Sequence, residues 1–124
     1  MSQVFGEKWG DEDWRVETKN KIDSAIRTEL ERHLNNVARD LKTHLINGDL
    51  NKVLEDAIDV ILYVSYPSRQ PVGFDIGITT GGPNINLVYD RGVCELRGSW
   101  SGVTATKYVD NEICETIMLD YFLS

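Results

Sequence analysis

The chain has 124 residues, of which 13 are basic and 20 acidic, so its formal net charge is −7 at pH 7. The length is that of one domain, and 41% hydrophobic with 27% charged residues is a globular rather than a disordered composition. Residues 49–124 hold eleven acids and five bases, which argues against direct binding to nucleic acid and favours a basic protein partner, or serves only solubility.

The first ten residues show no helical or strand period. Gly6 and Gly10 flank Trp9 there, and we expect a loose segment over residues 1–10. This segment is charged and lacks the apolar centre of a signal peptide. The longest apolar run, residues 60–64, is far too short to span a membrane. These features predict a cytoplasmic protein that makes no membrane contact.

A long amphipathic helix is predicted next. Asp11 or Asp13 can cap its beginning, and Asn47-Gly48 can end it. Between them, apolar residues recur every three or four positions, which is the helical period. A helix over residues 13–46 is about 51 Å long, whereas a compact domain of this size has a diameter of roughly 35 Å.

This excess length leaves three possibilities. The helix breaks near Lys19 and Asn20, or the sheet of the same chain covers its apolar stripe, or the stripe packs against a second copy. We expect self-association as a dimer or a higher oligomer, because a near-heptad stripe with charged flanks suits a partner helix. The predicted interface consists of five residues of the stripe: Ile26, Leu30, Leu34, Val37 and Leu41.

Asp49 begins a second helix whose apolar residues keep the helical period to about Leu62. Residues 60–66 are rich in β-branched and aromatic side chains, so the second part of this segment could instead be a strand. Helix is the preferred interpretation, which makes residues 11–66 helical. Pro67 and Pro71 then bracket a loop.

The period changes to two within residues 72–109, which is the strand period. Short turns separate four predicted strands, near residues 73–78, 84–89, 93–97 and 103–109, and such turns indicate an antiparallel meander. Asp110 can cap a last helix over residues 110–123. The predicted fold is one α+β domain with two N-terminal helices, a four-stranded antiparallel meander sheet and a C-terminal helix.

Few residues offer reactive chemistry. Cys94 and Cys114 stand among apolar neighbours without a CxxC motif, so two buried reduced thiols are predicted in preference to a disulfide. His33 and His44 are about 16 Å apart along the first helix, too far to share a metal. We therefore expect no metal, no cofactor and no enzymatic activity.

The turns and the polar face of the sheet are the candidate binding site. The turn at residues 79–83 is rich in glycine and could approach a phosphate, although a plain hairpin turn is the better explanation. Trp100 lies among small residues, where it either meets a partner or folds back to close the core. The predicted site residues are Thr80, Gly81, Gly82, Asn84, Asn86, Arg91, Arg97 and Trp100.

The leading hypothesis is a non-enzymatic binding or inhibitor protein. Small acidic domains are common among phage and mobile-element anti-defence proteins, anti-CRISPR proteins included. Such proteins mask a basic surface or sequester a nucleotide-like signal molecule. One alternative is an immunity or antitoxin protein that covers a basic nuclease toxin. Another is a domain that binds a small nucleotide-like ligand.

Overall fold

The computed structural model describes residues 2–79 and 82–123, with side chains described from residue 16 onward. Within this part, three α-helices and five strands follow one another in the order ααβββββα. Their bounds are α1 Ser2–Asn47, α2 Asn51–Glu55, β1 Asp59–Val64, β2 Pro71–Thr79, β3 Asn84–Asp90, β4 Val93–Trp100, β5 Val103–Tyr108 and α3 Asn111–Ile117. A π-helical turn, Met118–Phe122, follows α3.

The long first helix is continuous. Its 46 residues correspond to about 69 Å at roughly 1.5 Å per residue. It begins at Ser2 rather than near Asp11, and it has no break near Lys19 and Asn20. A strand of six to nine residues is only about 20–30 Å long, so α1 extends well beyond the sheet.

Helix α1 ends as its sequence predicts. Gly48 adopts a φ of 72°, and the N–H of Asp49 donates to the carbonyl of His44 over 3.0 Å. This is the Schellman arrangement, in which a left-handed glycine lets the chain turn while the last carbonyls of the helix keep partners. Nδ1 of His44 and Oδ1 of Asp49 also form a hydrogen bond of 2.8 Å, which stabilises the turn into α2.

The sheet is an antiparallel meander in the order β1-β2-β3-β4-β5, as the short turns indicate, but it has five strands instead of four. Two of its turns are two-residue hairpins with positive φ at both residues: Arg91 and Gly92 at 53° and 77°, and Ser101 and Gly102 at 49° and 81°. Positive φ at both positions matches the right-handed twist of the flanking strands.

The additional strand is β1, which lies where the sequence predicts a helix to about Leu62, so that prediction is wrong. Helix α2 ends at Glu55, and the segment Asp59–Val64 pairs with β2. The helical period of the apolar residues was misleading, because a short apolar run fits a helix or a strand equally well. The β-branched and aromatic side chains of this segment fit a pleated strand, and an available neighbour in β2 decides between the two. Residues 11–66 are therefore not helical throughout.

The core lies between the helices and one face of the sheet. Five of its largest strand residues are at most 1% exposed: Phe74, Ile76, Ile85, Leu87 and Leu96. Leu34 and Leu41 of α1 cover them together with Ile113 and Ile117 of α3, and Leu30 of α1 is buried as well. Each fully buried side chain of this kind contributes about 1.5–3 kcal/mol relative to exposure to water.

Gly98 allows α1 to approach β4 closely. A Cβ at this position would lie 2.8 Å from Cδ1 of Leu30 and 3.1 Å from Cδ2 of Leu34. Both leucines are buried, at 0% and 1% exposure, so neither can move away freely. The absence of a side chain at Gly98 thus sets the distance between helix and sheet.

Cys94 and Cys114 form a disulfide, so the expectation of two reduced thiols is wrong. Cys94 is in β4 and Cys114 in α3, and the two half-cystines are 1% and 0% exposed. The expectation of burial was correct, but sequence spacing does not reveal that packing brings two Cα atoms to 5.9 Å, a separation that suits a disulfide.

Candidate functional site

The helices pack on one face of the sheet, and no described element covers the other, which we call the open face. The strand register arranges its side chains in rows. One row holds Asn86, Arg97 and Thr106 on adjacent strands, and the next holds Asp75, Val88 and Glu95. Residues far apart in sequence therefore meet on a single surface.

A cavity of about 330 Å³ lies on the open face over the middle of the sheet. Its polar lining offers a carboxylate, a guanidinium, two amides and three hydroxyls: Asp75, Arg97, Asn84, Asn86, Ser99, Thr104 and Thr106. Val88 forms the apolar floor and is 1% exposed although its strand position faces outward. Such a lining suits a polar group that both donates and accepts hydrogen bonds.

Arg97 is held in place by its neighbour on the same strand. Its Nε donates to Oε1 of Glu95 at 2.6 Å. This hydrogen bond raises the pKa of Arg97 above its ordinary value, and the charges of Glu95 and Asp75 act in the same direction. Its terminal Nη atoms donate no hydrogen bond within the described part of the chain, and its side chain is 52% exposed. The outer edge of this guanidinium can thus reach a ligand.

Asp75 is oriented across the strands. Nδ2 of Asn86 donates to Oδ1 of Asp75 at 2.6 Å, which fixes the carboxylate at the cavity wall. Its other oxygen, Oδ2, accepts no hydrogen bond from the described residues. A carboxylate that is fixed through one oxygen and open at the other is suited to accept a hydrogen bond from a cationic group.

The open face is acidic. The register and the alternation of side chains place four carboxylates on it, those of Asp59, Asp75, Asp90 and Glu95. In the described strands, Arg97 is the one cationic residue on this face, because Lys107 of β5 pairs with Leu96 on the helix side. Attraction of cations and repulsion of phosphates follow from this imbalance.

The cavity brings together three of the eight predicted site residues, Asn84, Asn86 and Arg97. Gly82 is exposed in the turn between β2 and β3. Thr80 and Gly81 lie outside the described residues.

Arg91 and Trp100 lie apart from this cavity. Arg91 is at the β3–β4 turn, nine residues along the chain from Trp100 and thus about 30 Å away at the other end of the strand. Trp100 shares the helix side of β4 with Leu96 and Gly98. The sequence-based grouping of these two residues with Arg97 does not correspond to one surface.

The apolar stripe of α1 that the sequence predicts to be an interface packs against the sheet of the same chain. Leu30, Leu34 and Leu41 are 0%, 1% and 3% exposed against the sheet, and Ile26 and Val37 are partly buried. This is the possibility in which the sheet of the same chain covers the stripe. Self-association stays a prediction, and its interface would have to consist of side chains other than this stripe.

Ser99, Thr104 and Thr106 of the cavity were not among the predicted site residues. Small hydroxyl residues in a strand carry no signal of their own. Strand pairing would have indicated them, because Ser99 faces Thr104 and Arg97 faces Thr106 across the hairpin of β4 and β5. The turn at Ser101-Gly102 fixes that register.

The two histidines have neighbours on the helix side of the sheet. His33 packs against Trp100, and His44 bonds Asp49. Among the described residues, no three side chains of His, Cys, Asp or Glu gather in a group that could hold a metal ion.

No helix in the described part of the chain combines the length and apolar character that a membrane crossing requires. A scan against protein-family models finds no match, and comparisons with curated proteins and with solved structures find none either.

Proposed function

We propose that the protein is a non-enzymatic binding protein that holds a basic segment of a partner protein on its open face. The observation that carries this proposal is the charge imbalance of that face as a whole, four carboxylates against one guanidinium, together with the oriented carboxylate of Asp75 in its cavity. A lysine or arginine side chain entering the cavity would meet Oδ2 of Asp75 and neutral amide and hydroxyl oxygens. The guanidinium of Arg97 also lines the cavity, and its charge is balanced by the carboxylate of Glu95 at 2.6 Å. Charge-assisted hydrogen bonds of this kind are among the stronger polar contacts.

A binding role without catalysis is supported by what the reactive side chains do. Cys94 and Cys114 are consumed in a disulfide. His33 packs on an indole ring, and the Nδ1 atom of His44 is taken by Asp49. The cysteines and histidines therefore supply neither a nucleophile nor a base to the cavity, whose own reactive groups are three hydroxyls and the carboxylate of Asp75.

A nucleotide-like ligand is the second candidate. The two amides of Asn84 and Asn86 could bind the edge of a base, and the free Nη atoms of Arg97 could bind a phosphate. However, Arg97 already neutralises Glu95 at 2.6 Å, and Asp75 stands in the same cavity. A phosphate would approach a net negative surface, so the charge balance favours the basic partner.

A protein of this kind would act by covering the basic surface of its partner. Anti-defence proteins of phages and mobile elements act in this way, and so do immunity or antitoxin proteins that cover a nuclease. The identity of the captured partner would separate these two roles. A cytoplasmic location stays a prediction, and the disulfide weighs against it, because disulfides persist mainly in oxidising compartments.

The test is calorimetric titration of the native protein with an amidated hexa-arginine peptide and, separately, with ATP. Asp75→Asn removes the cavity carboxylate, and we expect it to weaken peptide binding about tenfold, because a hydrogen bond to a charged group is worth about 1.5–3 kcal/mol. Asp40→Asn is the matched control, since Asp40 is exposed on α1 and the substitution makes the same change in net charge.

Three results would count against the proposal. An equal loss in Asp75→Asn and Asp40→Asn would show unspecific attraction to an acidic protein. Binding of ATP but not of the peptide would favour the nucleotide-like ligand. No binding of either probe would remove the open face as a binding surface for these charged groups.

A further inference from the structure

Strand β1 is an edge strand that exposes apolar side chains on both faces of the sheet. Among the described strands its only neighbour is β2, so the backbone N–H and C=O groups of its outer edge have no strand partner there. Val60, Leu62 and Val64 are 40%, 40% and 49% exposed, and Ile61, on the opposite face, is 50% exposed. Exposed hydrophobic edge strands readily pair with another chain.

The other edge of the sheet is protected. Helix α1 packs along β5, and Nη1 of Arg27 donates to the carbonyl of Thr104 at 2.9 Å. Strand β5 also carries Lys107, and lysine on an edge strand opposes pairing with another strand. Each copy of the chain therefore offers one free edge, which limits strand pairing to two copies.

Strand β1 lacks the lysine and the helix contact that protect β5, and the one irregularity in its pairing with β2 is confined to its end, between Tyr63 and Val64. Its sequence, DVILYV, contains no lysine and no proline, and its single charge is Asp59 at the first position. Neither α1 nor α3 lies against it as they do against β4. We propose that β1 pairs antiparallel with β1 of a second copy, which joins the two five-stranded sheets into one sheet of ten strands.

The positions of the charged residues near β1 favour antiparallel over parallel pairing with a second copy. Parallel pairing would place the two Asp59 carboxylates side by side. Antiparallel pairing separates them and brings each to the end of the partner strand, where the loop after β1 carries the exposed Arg69. A strand paired with its own copy around a twofold axis is self-complementary, so every contact occurs twice.

This pairing does not depend on the proposed function of the open face. A twofold axis perpendicular to the sheet keeps both open faces on one side and both α1 helices on the other. The dimer would therefore present two cavities on the same side of a continuous sheet. It also differs from the interface expected from the sequence, because it uses the edge of the sheet and leaves the buried stripe of α1 in place.

Light scattering after gel filtration, over a wide range of micromolar concentrations, tests the proposal. The native protein should reach twice the 14.1 kDa mass of one chain. Ile61→Lys should return it to the monomer mass, with the circular dichroism of the folded protein. Val93→Lys is the matched control, because Val93 is 43% exposed on the same face but lies in β4 between two paired strands. This control should stay dimeric.

Ile22→Lys separates the two routes to a dimer, because Ile22 is 52% exposed on α1. Loss of the dimer in this variant but not in Ile61→Lys would overturn the proposal in favour of a helix interface, and a native protein that stays monomeric at every concentration would overturn it outright. Hydrogen exchange gives a readout independent of any variant. The amides of Asp59–Val64 should exchange more slowly as concentration rises, and unchanged exchange in the dimer would contradict strand pairing.

Discussion

The indole of Trp100 and the imidazole of His33 meet edge to face, with ring centroids 5.9 Å apart and an interplanar angle of 81°. Trp100 is the last residue of β4, and His33 lies in α1 between the buried Leu30 and Leu34. The contact holds the end of the β4–β5 hairpin against the long helix. Trp100 is thus half-buried on the helix side of the sheet, and it does not line the cavity of the open face.

Trp100→Ala should lower the free energy of unfolding by about 2 kcal/mol, below the 3–5 kcal/mol of a fully buried tryptophan. His33→Ala should lower it less, and the double variant should show a coupling of about 0.5–1.5 kcal/mol, as edge-to-face aromatic pairs do. Urea denaturation of the four proteins measures these values. Additive losses with no coupling would show that the two rings do not interact.

Gly98→Ala should destabilise the protein although alanine is small. The added methyl group would lie 2.8 Å from Leu30, so the helix or the leucine must shift, at a cost of about 1–3 kcal/mol. Gly82→Ala is the control, because a Cβ there meets nothing within 4 Å. Thermal melting compares the two. Equal melting temperatures for both variants would mean that α1 does not approach β4 as closely as described.

The disulfide should be present in the purified protein and slow to reduce, because both half-cystines are buried. Iodoacetamide in denaturant without reductant should therefore label neither Cys94 nor Cys114, as mass spectrometry can show. Replacing both residues with alanine should cost about 3 kcal/mol, since the bond closes a loop of about 20 residues. Two labelled thiols in the unreduced protein would return these residues to the reduced state predicted from the sequence.

Acid should weaken the beginning of α3. Asp110 caps it by accepting the N–H of Glu112 at 3.0 Å, and Lys42 of α1 donates to the same carboxylate at 2.8 Å. The hydrogen bond from Lys42, followed by that from Glu112, lowers the pKa of Asp110. A depressed folded-state pKa contributes stability above the unfolded value of about 3.9 and loses it as pH falls through the folded value.

Melting temperatures of the native protein, Asp110→Asn and Asp110→Ala across this pH range test the assignment. Asparagine caps a helix as well as aspartate but cannot form the ion pair, whereas alanine can do neither. The native protein should exceed Asp110→Asn at neutral pH and approach it in acid, while Asp110→Ala stays below both. A difference between native protein and Asp110→Asn that does not change with pH would show that the charge of Asp110 is unimportant.

The sequence predicted the elements with strong local signals and failed where pairing between distant segments decides. The αL end of α1 at Gly48, the meander and the cap at Asp110 each depend on a few neighbouring residues, and all are confirmed. For the segment that forms β1 the sequence predicts a helix, because its apolar spacing fits a helix and a strand alike. Only the presence of β2 beside it distinguishes them.

In the candidate site, too, local features were predictable from the sequence and contacts between distant segments were not. Polar residues of β3 and β4 were correctly placed on one face, because alternation along a strand is a local property. The separation of Arg91 and Trp100 from Arg97 depends on which end and which face of the sheet each occupies, and the disulfide depends on the docking of α3 on β4. Neither follows from residue spacing along the chain.

Chemical-shift mapping on the isotope-labelled protein, titrated with the hexa-arginine peptide, tests the central claim most directly. The largest changes should fall on amides of the open face around the cavity, above all those of Asp75, Asn86, Arg97 and Thr106. The amides of α3 and of the exposed side of α1 should hardly change, although these helices also carry carboxylates. Changes spread over every acidic surface, or confined to the helix side of the sheet, would contradict the proposed binding face.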